Sequence, residues 1–386
     1  MFDYLLKDGR VIDPAQEIDG IMDVAIKDGK VCLMSEVIDE SEARDTISVK
    51  GKLIMPGLID LHTHIYWGGT SLGINPNDVG PKTGVTTFVD AGSSGPGNFL
   101  GFKEHIIETS ICDIFAFLNI SYAGIPYFSS EDFANPNMYG ENQALEMIKV
   151  QSAINIVEKY PLIIKGIKVR LGMNTSGNLS LIPLKLALKA AETTGKPVMV
   201  HIDEAPPTVE ELITCLRSKD IITHSFKGGT NKFTNKNGEV LSELLEARKR
   251  GVIVDIGHGV ASFSFKVAAE MIKNNFYPDT ISTDLHALSI KKAAFDLPTT
   301  MSKFLNLGMP LDKVVYSSTY ASAEVIGEEK EIGHLKTGSK ADIAIFELKE
   351  GNYEFYDPDN VKLEGKLKLI PIMTFKDGKL IYNRES

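Results

Sequence analysis

The sequence predicts an α/β protein in which a (β/α)8 TIM-like barrel is flanked by a small β-sandwich built from both chain termini. Both ends of the chain consist of short alternating segments joined by Asp-Gly or Lys-Gly turns. The middle alternates short apolar runs with longer segments of helical period, which is typical of parallel strands with crossover helices. The predicted domains are residues 1–53 and 330–386 for the β-sandwich and residues 54–329 for the barrel.

The two chain ends carry the hairpin signals. The N-terminal part contains YLLKDGRVID, DVAIKDGKVCLM and DTISVKGKLIMPG, and the tail contains KADIAIFEL and KLKLIPIMTFKDGKLIYN. An Asp-Gly pair between alternating apolar segments is typical of a two-residue hairpin turn. Because the same pattern occurs at both ends, we expect the ends to pair with each other in one β-sandwich.

Eight apolar runs in the middle of the chain are expected to form parallel strands. They are LIMPGLIDLHTH, GVTTFVDAG, DIFAFLNIS, IIKGIKVRL, KPVMVHIDEA, IITHSF, GVIVDIGHG and TISTDLH. Segments with apolar residues three and four positions apart lie between them, for example ALEMIKVQSAINIVEKY and LIPLKLALKAAETTG. Eight units favour a closed barrel, although a doubly wound open sheet shows the same alternation. The first run is not followed by a Gly-rich phosphate loop, which weighs against a dinucleotide-binding fold.

The composition excludes several classes of protein. With 43% hydrophobic and 24% charged residues the chain is typical of a globular protein, and its net charge of -10 opposes binding to nucleic acid. A signal leader and a membrane-spanning apolar stretch are both missing, so we expect a cytoplasmic protein that does not bind a membrane. Cys32, Cys112 and Cys215 are too scattered for a disulfide framework or a thiolate cluster. The expected partner is a small molecule, and the expected assembly is a homo-oligomer.

Polar side chains lie where the predicted strands end. In GLIDLHTH, residues 57–64, His62 and His64 point to the same side of a strand and can bind one ion. The corresponding residues of other runs are Lys168, His201, His224, His258 and Asp284. Active sites of such barrels lie at the C-terminal strand ends, and imidazole and carboxylate groups are good ligands for zinc and similar ions. A His-X-His pair alone is weak evidence, but these partners favour a metal site over a coincidental pair.

Five further polar residues have weaker signals. His105 and His334 lie in a predicted helix and a connection, and we interpret both as structural or solvated. Asp90, Ser93 and Ser94 in FVDAGSSG are candidates for the pocket lining. Glycine-rich turns at strand ends also occur for backbone reasons alone, so both interpretations of this segment stay open.

The segments PGLIDLHTH, GIK, VHIDEAP, ITHSF and STD, in this order, resemble the metal-ligand motifs of the amidohydrolase superfamily. The resemblance spans nearly the whole chain, because that superfamily also flanks a barrel with a β-sandwich made of both termini. The combination of VHIDEAPP, ITHSFKG and VDIGHG most resembles the deacetylase-like branch related to dihydroorotases. Members of this branch act on acylated small acids and are sometimes labelled adenine deaminase or dihydroorotase.

The resemblance implies two divalent metal ions, with Zn²⁺ as the first choice among zinc, manganese, iron and cobalt. The implied ligands are His62, His64 and Asp284 for one metal, His201 and His224 for the other, and Lys168 for both. Lys168 would bind as a carbamate formed with CO2, because a protonated lysine is repelled by two cations. That reaction requires a lysine whose pKa is lowered by burial and nearby metals. Lys165 is the competing candidate, but it begins the strand rather than ending it.

The implied chemistry is hydrolysis by a hydroxide that bridges two metals. Asp284 is expected to accept the hydroxide proton and to deliver it to the leaving group. The summed charges leave the site net positive, which favours an anionic substrate. Arg170, two residues beyond Lys168, is a candidate for binding a substrate carboxylate, or it turns outward to a loop carboxylate. His258 is expected to act on the substrate or its leaving group, with a purely structural hydrogen bond as the alternative.

The leading functional hypothesis is a metal-dependent deacetylase that releases acetate from an ester or amide of a small carboxylic acid. Hydrolysis of a cyclic amide, as in dihydroorotases and hydantoinases, and deamination of a purine-type ring use the same kind of metal centre and stay open as alternatives. A non-catalytic scaffold that has lost its metals is a different class of hypothesis. The presence of every implied ligand in the sequence disfavours it.

Overall fold

The computed structural model describes residues 1–125 and 140–384 of the chain. Residues 126–139 and 385–386, which fall within the predicted barrel and sandwich ranges, lie outside this description. The described residues form a mixed α/β fold with two sheets. One sheet is built from the two ends of the chain and the other from its middle.

The strands are, in chain order, β1 (Phe2–Asp13), β2 (Ile18–Lys27), β3 (Lys30–Ser35), β4 (Ala43–Ser48), β5 (Leu53–Pro56), β6 (Leu58–Thr63), β7 (Val85–Ala91), β8 (Asp113–Asn119), β9 (Ile164–Leu171), β10 (Val198–Ile202), β11 (Ile221–Ile222), β12 (Ile253–Val254), β13 (Ile343–Tyr356), β14 (Lys362–Lys376) and β15 (Lys379–Asn383). The helices are α1 (Pro76–Thr83), α2 (Phe99–Phe102), α3 (Val150–Lys159), α4 (Ile182–Thr194), α5 (Val209–Cys215), α6 (Ser242–Lys249), α7 (Phe265–Lys273), α8 (Leu297–Asn306), α9 (Leu311–Ser317) and α10 (Tyr320–Ile326).

The terminal sheet joins the two chain ends, as predicted. Its strand order is β15-β14-β13-β5-β1-β2-β3, and β4 also pairs with β1. The contact between the two ends is the antiparallel pairing of β13 with β5, which places Ile343 opposite Pro56. Residues 53–56, which open the run LIMPGLIDLHTH, therefore belong to this sheet, and the chain enters the other sheet after Gly57.

Two Asp-Gly turns form tight hairpins, because both residues of each turn adopt positive φ. Asp28 and Gly29 have φ of 51° and 77° between β2 and β3, and Asp377 and Gly378 have φ of 48° and 73° between β14 and β15. Positive φ at both central positions matches the right-handed twist of the flanking strands. The hairpin prediction is confirmed at these two turns and is wrong at Asp8-Gly9, which lies inside β1 at a register shift of its pairing with β2.

The middle of the chain forms a parallel sheet with the strand order β12-β11-β10-β9-β8-β7-β6. The order follows the chain without a reversal, whereas a doubly wound sheet requires one. Helices lie between successive strands, and α3 and α4 fall within ALEMIKVQSAINIVEKY and LIPLKLALKAAETTG, two of the segments with predicted helical period. The sheet is a parallel half-barrel in which the predicted site residues lie at the C-terminal strand ends.

The eighth predicted run, TISTDLH, does not form a regular strand. It makes isolated parallel bridges at its ends, between Thr280 and Asp255 and between Leu285 and Thr63. The backbone N–H of Thr283 donates to the Asp60 carboxylate instead of to a strand carbonyl. Asp284 also has a φ of 49°, which interrupts an extended conformation. The prediction of a regular eighth strand is therefore wrong, because side-chain hydrogen bonds replace part of the ladder.

The largest apolar core packs the parallel sheet against its helices, for example through Val169 of β9 and Leu184 and Ala187 of α4. A separate core within the terminal sheet includes Leu6, Val24 and Phe375. Among the described residues, every helix falls short of the length and apolar character needed to cross a membrane. The parallel sheet and the terminal sheet therefore each have an apolar core of their own.

Candidate metal centre

A cavity of about 190 Å³ lies at the C-terminal ends of the parallel strands. Its lining residues are His62, His64, Leu72, Lys168, Arg170, His201, His224, Val260, Ala261, Ser262, Asp284, His286 and Leu288. Three larger cavities, of about 700, 750 and 370 Å³, lie at the terminal sheet, at the opposite ends of the strands and beside α6. None of these three is lined by a histidine among the described residues, whereas the smaller cavity is lined by five histidines.

The predicted ligands converge in this cavity. Nε2 of His62 and Nε2 of His64 lie 3.4 and 3.1 Å from Oδ1 of Asp284. Ligand atoms of His62, His224 and Asp284 all lie within 4.8 Å of one another. Nζ of Lys168 is 3.3 Å from Nε2 of His62. Atoms from three separate strand ends and from the segment after β12 thus meet within the reach of one or two ions.

Three of the histidines have a hydrogen-bond partner on the ring nitrogen that faces away from the cavity. Nδ1 of His62 is 2.9 Å from the Thr223 hydroxyl, and Nδ1 of His64 is 2.9 Å from the Ser93 hydroxyl. Nδ1 of His224 donates to the carbonyl of Gly257 at 2.6 Å. These partners fix the ring orientations and leave Nε2 as the nitrogen available to a metal.

His201 differs from the other histidines, because its Nε2 is buried and has no hydrogen-bond partner within the described residues. The ring lies 4.5 Å from the ring of His224, centroid to centroid. A buried imidazole nitrogen without a partner is costly unless a ligand satisfies it. The surrounding donors are the nitrogen and carboxylate groups that divalent transition metals prefer. The residues present therefore fit a metal centre.

The charges of the ligands also suit cations. Burial, with nearby positive charge, holds the pKa of His62, His201 and His224 well below the ordinary histidine value, so these rings are neutral and can act as ligands. For Asp284, burial raises the pKa, but interactions with His62 and His64 outweigh it and place the pKa well below the ordinary value. Asp284 is therefore an anion at neutral pH.

Lys168 and Lys165, the two candidate lysines of β9, lie in different environments. Lys168 lines the cavity, and its burial lowers the pKa to about 7. A substantial share of its amine is therefore neutral at physiological pH, as carbamate formation requires. Lys165 instead forms an ion pair with Glu328 and lies 4.5 Å above the ring of Phe115. Of the two, the structure brings only Lys168 to the ligand cluster.

Arg170 lines the cavity and also has a carboxylate neighbour. Its Nε lies 3.3 Å from Oε1 of Glu141, whose side chain is buried. The two interpretations of Arg170 are therefore not exclusive, because the residue faces the cavity while it contacts an acidic side chain. Glu141 carried no recognisable signal in the sequence. It follows residues 126–139 and precedes a helix rather than a strand.

His258 is not among the residues that line the cavity, and its expected contact with the substrate stays a prediction. Its Nδ1 is 3.0 Å from the carbonyl oxygen of Gly259, and its Nε2 accepts a hydrogen bond from Nζ of Lys303 at 2.8 Å. The ring is buried and stacks on Phe263 at 4.4 Å. Because both ring nitrogens and one ring face are occupied, these contacts favour the structural alternative for His258. Lys303 of α8 also donates to the carbonyl of Tyr356 in β13, so this lysine links α8 to the terminal sheet.

His286 is a cavity residue that sequence reasoning did not single out. Its ring lies 6.1 Å from that of His64, centroid to centroid, and burial lowers its pKa to about 4. It stands two residues after Asp284 in the run TISTDLH, so its position was a usable signal. In the described structure His105 is exposed and His334 is buried outside the cavity, in line with a structural or solvated role.

The segment FVDAGSSG contacts His64 and the chain that follows it, outside the cavity. Ser93 contacts His64 through its hydroxyl, and its backbone N–H donates to Asp90 at 2.7 Å. Asp90 also accepts a hydrogen bond from the backbone of Ile65 at 3.0 Å. Ser94 is buried, and its hydroxyl has no partner within the described residues. Asp90 and Ser93 therefore hold His64 and the strand end that carries it, and none of the three residues lines the cavity.

Comparison with known proteins agrees with this geometry. The sequence profile of the amidohydrolase family matches residues 53–381. A deacetylase of Brucella anthropi is 36% identical over 340 residues, which cover 88% of this chain and 82% of the relative. The crystal structure of an adenine deaminase superposes with a TM-score of 0.89 at 28% identity over all of both chains. The crystal structure of a dihydroorotase superposes with a TM-score of 0.88 at 32% identity over 98% of each chain.

Proposed function

The chain belongs to the amidohydrolase family and is a hydrolytic enzyme acting on C–N bonds, and from this premise we propose that it is a metal-dependent deacylase. The proposed reaction releases a small acyl group, acetate in the first instance, from an amide or ester of a small carboxylic acid. The observation that carries the proposal is the convergence of His62, His224 and Asp284 ligand atoms within 4.8 Å. The deacetylase relative at 36% identity supports the acyl substrate.

The proposed centre holds two divalent ions, with Zn²⁺ favoured by the nitrogen-rich donor set. His62, His64 and Asp284 would hold one ion, and His201 and His224 the other. Lys168, as a carbamate formed with CO2, would contribute oxygen to both. Bound ions would supply a water molecule of lowered pKa and a polarised substrate carbonyl, so that no serine or cysteine nucleophile is required.

Asp284 is the proposed acid–base group. Its low pKa keeps it anionic, so it can accept a proton from the attacking water molecule. The same carboxylic acid then donates that proton to the leaving nitrogen or oxygen. Burial lowers the pKa of the neighbouring His286 to about 4, so its ring is neutral at pH 7.

Arg170 is the proposed contact for the carboxylate of the substrate. It lines the cavity, where a guanidinium group can bind a carboxylate through two parallel hydrogen bonds. Its neighbour Glu141 limits the conformations of the side chain. Leu72, Val260 and Leu288 line the rest of the cavity, so the body of the substrate meets apolar surface.

A second candidate function is hydrolysis of a cyclic amide. The solved dihydroorotase at 32% identity supports this candidate. The metal ligands needed for linear and cyclic amides are the same, so the proposed metal centre fits both reactions. Deamination of a purine-type ring is the third, and the solved adenine deaminase at 28% identity supports it less strongly.

We also propose that residues 280–285 complete a closed barrel, in the place of the eighth strand. The bridges of this segment to Asp255 and Thr63 support that closure. The domain division then follows the two sheets, with the terminal β-sandwich and the barrel meeting at Gly57 and again between α10 and β13. The cytoplasmic location and the homo-oligomeric state stay predictions.

A substrate panel tests the proposed function. The purified, metal-replete enzyme is assayed with N-acetyl and O-acetyl derivatives of small amino and hydroxy acids in both configurations, and with dihydroorotate, hydantoin and adenine. Release of acetate from the acylated acids, abolished in Asp284→Asn, is the expected result. Turnover of dihydroorotate or adenine without any action on acylated acids would overturn the deacylase proposal in favour of the alternatives.

A further inference from the structure

Asp255 is a buried carboxylate at the end of β12 that does not line the cavity. Its oxygens accept hydrogen bonds from three hydroxyl groups. Thr223 and Thr280 donate at 2.7 Å each, and Ser282 lies 2.8 Å from both oxygens. A buried carboxylate with this many donors is held in one orientation.

The hydroxyl protons determine the tautomer of His62. The Thr223 hydroxyl has a single proton, and that proton is donated to Oδ2 of Asp255. The same hydroxyl oxygen lies 2.9 Å from Nδ1 of His62, so it can only accept a hydrogen bond there. Nδ1 of His62 must therefore carry the ring proton. Nε2, which faces Asp284 and Lys168, is left with its lone pair free for a metal.

Asp255 also holds the segment that carries Asp284. Thr280 and Ser282 belong to residues 280–285, which lack a regular strand ladder. Their hydroxyl bonds to Asp255 add to the backbone hydrogen bonds that this segment makes with residues 254–259, and the Ser282 hydroxyl additionally accepts the N–H of Gly257 at 3.0 Å. One carboxylate thus orients two proposed ligands that lie 222 positions apart in the sequence.

We propose that Asp255, acting through the Thr223 hydroxyl, is a positioning residue that fixes the metal-binding tautomer of His62 and the position of the segment bearing Asp284. The inference rests on the proposed function, because it concerns the same metal centre. Outer-shell partners of this kind typically change metal affinity or activity by 10- to 100-fold when they are removed. Asp255 itself contacts neither the substrate nor the reacting atoms.

The first experiment examines the tautomer in the metal-free wild-type protein. Histidine labelled with ¹⁵N is incorporated, His62 is assigned by comparison with a His62→Gln sample, and the two ring nitrogens are distinguished by their chemical shifts. We expect a neutral ring with the proton on Nδ1. A proton on Nε2 would overturn the inference. This measurement requires neither bound metal nor activity, so it decides the inference even where the proposed function fails.

The second experiment measures metal binding by competition with a zinc chelator. Thr223→Val keeps the shape of the side chain but removes the hydroxyl, and we expect the affinity of the tighter site to fall by about 10- to 100-fold. Thr223→Ser, the matched control, restores a hydroxyl and should bind within about threefold of wild type by the same reasoning. Asp255→Asn places an NH2 group among three hydroxyl donors and should weaken binding as Thr223→Val does.

The outcomes separate the two proposals. Unchanged affinity in a folded Thr223→Val protein, with folding checked by thermal unfolding, would overturn the positioning role while leaving the metal centre intact. A wild-type protein that binds no divalent metal would overturn the proposed function instead. If Thr223→Val does not fold, the tautomer observed in the wild-type protein decides the inference.

Discussion

The two sides of the cavity differ in how their buried polar atoms are satisfied. On the satisfied side, formed by His62, His64 and His224, each Nδ1 has a hydrogen-bond partner. On the unsatisfied side, His201 lines the cavity, Glu141 contacts the lining residue Arg170, and Asp203 lies 3.8 Å from His201. At least one buried polar atom of Glu141, His201 and Asp203 has no hydrogen-bond partner within the described residues. The contrast therefore lies around one cavity.

The difference indicates which side is preorganised and which side requires a ligand. A buried polar atom without a partner destabilises the folded protein by about 1–3 kcal/mol, so the unsatisfied side is destabilising until an ion or a substrate binds there. The satisfied side already holds its rings in the orientation that a metal requires. We therefore expect changes on the satisfied side to alter metal binding and catalysis, and changes on the unsatisfied side to alter the binding of the second ion and of the substrate.

Removing the acid–base group gives the largest expected effect. Asp284→Asn keeps the size and one oxygen of the side chain but cannot accept the proton of the attacking water molecule. We expect kcat to fall by about 10²- to 10⁴-fold. Steady-state kinetics on the best acylated acid, with metal content determined on the same sample, measures this. A kcat within about tenfold of wild type would show that Asp284 is not the proton carrier.

Lys168 links the two sides, so its removal tests whether they form one centre. Lys168→Ala should lose bound metal and more activity than the roughly 100-fold that follows loss of an outer-shell partner. Lys165→Met is the matched control, because that lysine shares the strand but pairs with Glu328 outside the cavity. Elemental analysis of both variants checks the prediction. Full metal content and activity in Lys168→Ala would contradict the assigned ligand set.

Arg170 tests the unsatisfied side. Arg170→Met keeps the length of the side chain but removes a charged hydrogen-bond donor, worth about 1.5–3 kcal/mol, or roughly 10- to 150-fold. We expect KM for an anionic substrate to rise by that factor, while kcat changes less. The matched comparison uses the primary amide of the same substrate, which lacks the carboxylate. An equal rise of KM for both substrates would show that Arg170 does not recognise the carboxylate.

The pH dependence of stability gives the smallest expected effect. In the metal-free protein the pKa of Lys168 is about 7, below its ordinary value of 10.5, so the unfolded chain binds the extra proton between these values. Its contribution to stability therefore rises with pH from about 7 to 10.5, by at most about 1.4 kcal/mol per pH unit, and is flat below 7. Denaturant unfolding of wild type and Lys168→Met from pH 6 to 10 measures the difference. Parallel curves would mean that the Lys168 amine is not buried in the metal-free protein.

The sequence was most informative where chemistry and periodicity coincide. The spacing of His62 and His64 and the strand-end positions of Lys168 and His224 predicted side chains that the structure brings together. Two Asp-Gly pairs, at residues 28–29 and 377–378, correctly predicted hairpins because positive φ at both positions is a local property of those residues. Such features depend on a few neighbouring residues and can therefore be predicted from the sequence alone.

Other features depend on partners that are distant in the sequence. His258 stands at a predicted strand end like the ligands, but Lys303, 45 positions later, accounts for its Nε2. Glu141 reaches Arg170 from a connection that has no periodic pattern. The eighth run looks like its neighbours, yet Thr283 bonds to Asp60 and Asp284 has positive φ. Local pattern could not predict these contacts, because tertiary packing determines them.

The most direct test of the two-metal account is a crystal structure of the metal-replete protein, with anomalous diffraction recorded on both sides of the zinc absorption edge. The account predicts two anomalous peaks, one beside His62, His64 and Asp284 and one beside His201 and His224. It also predicts continuous density extending beyond Nζ of Lys168. A cavity without an anomalous peak, or a Lys168 side chain that ends at Nζ beside fully occupied metals, would contradict it.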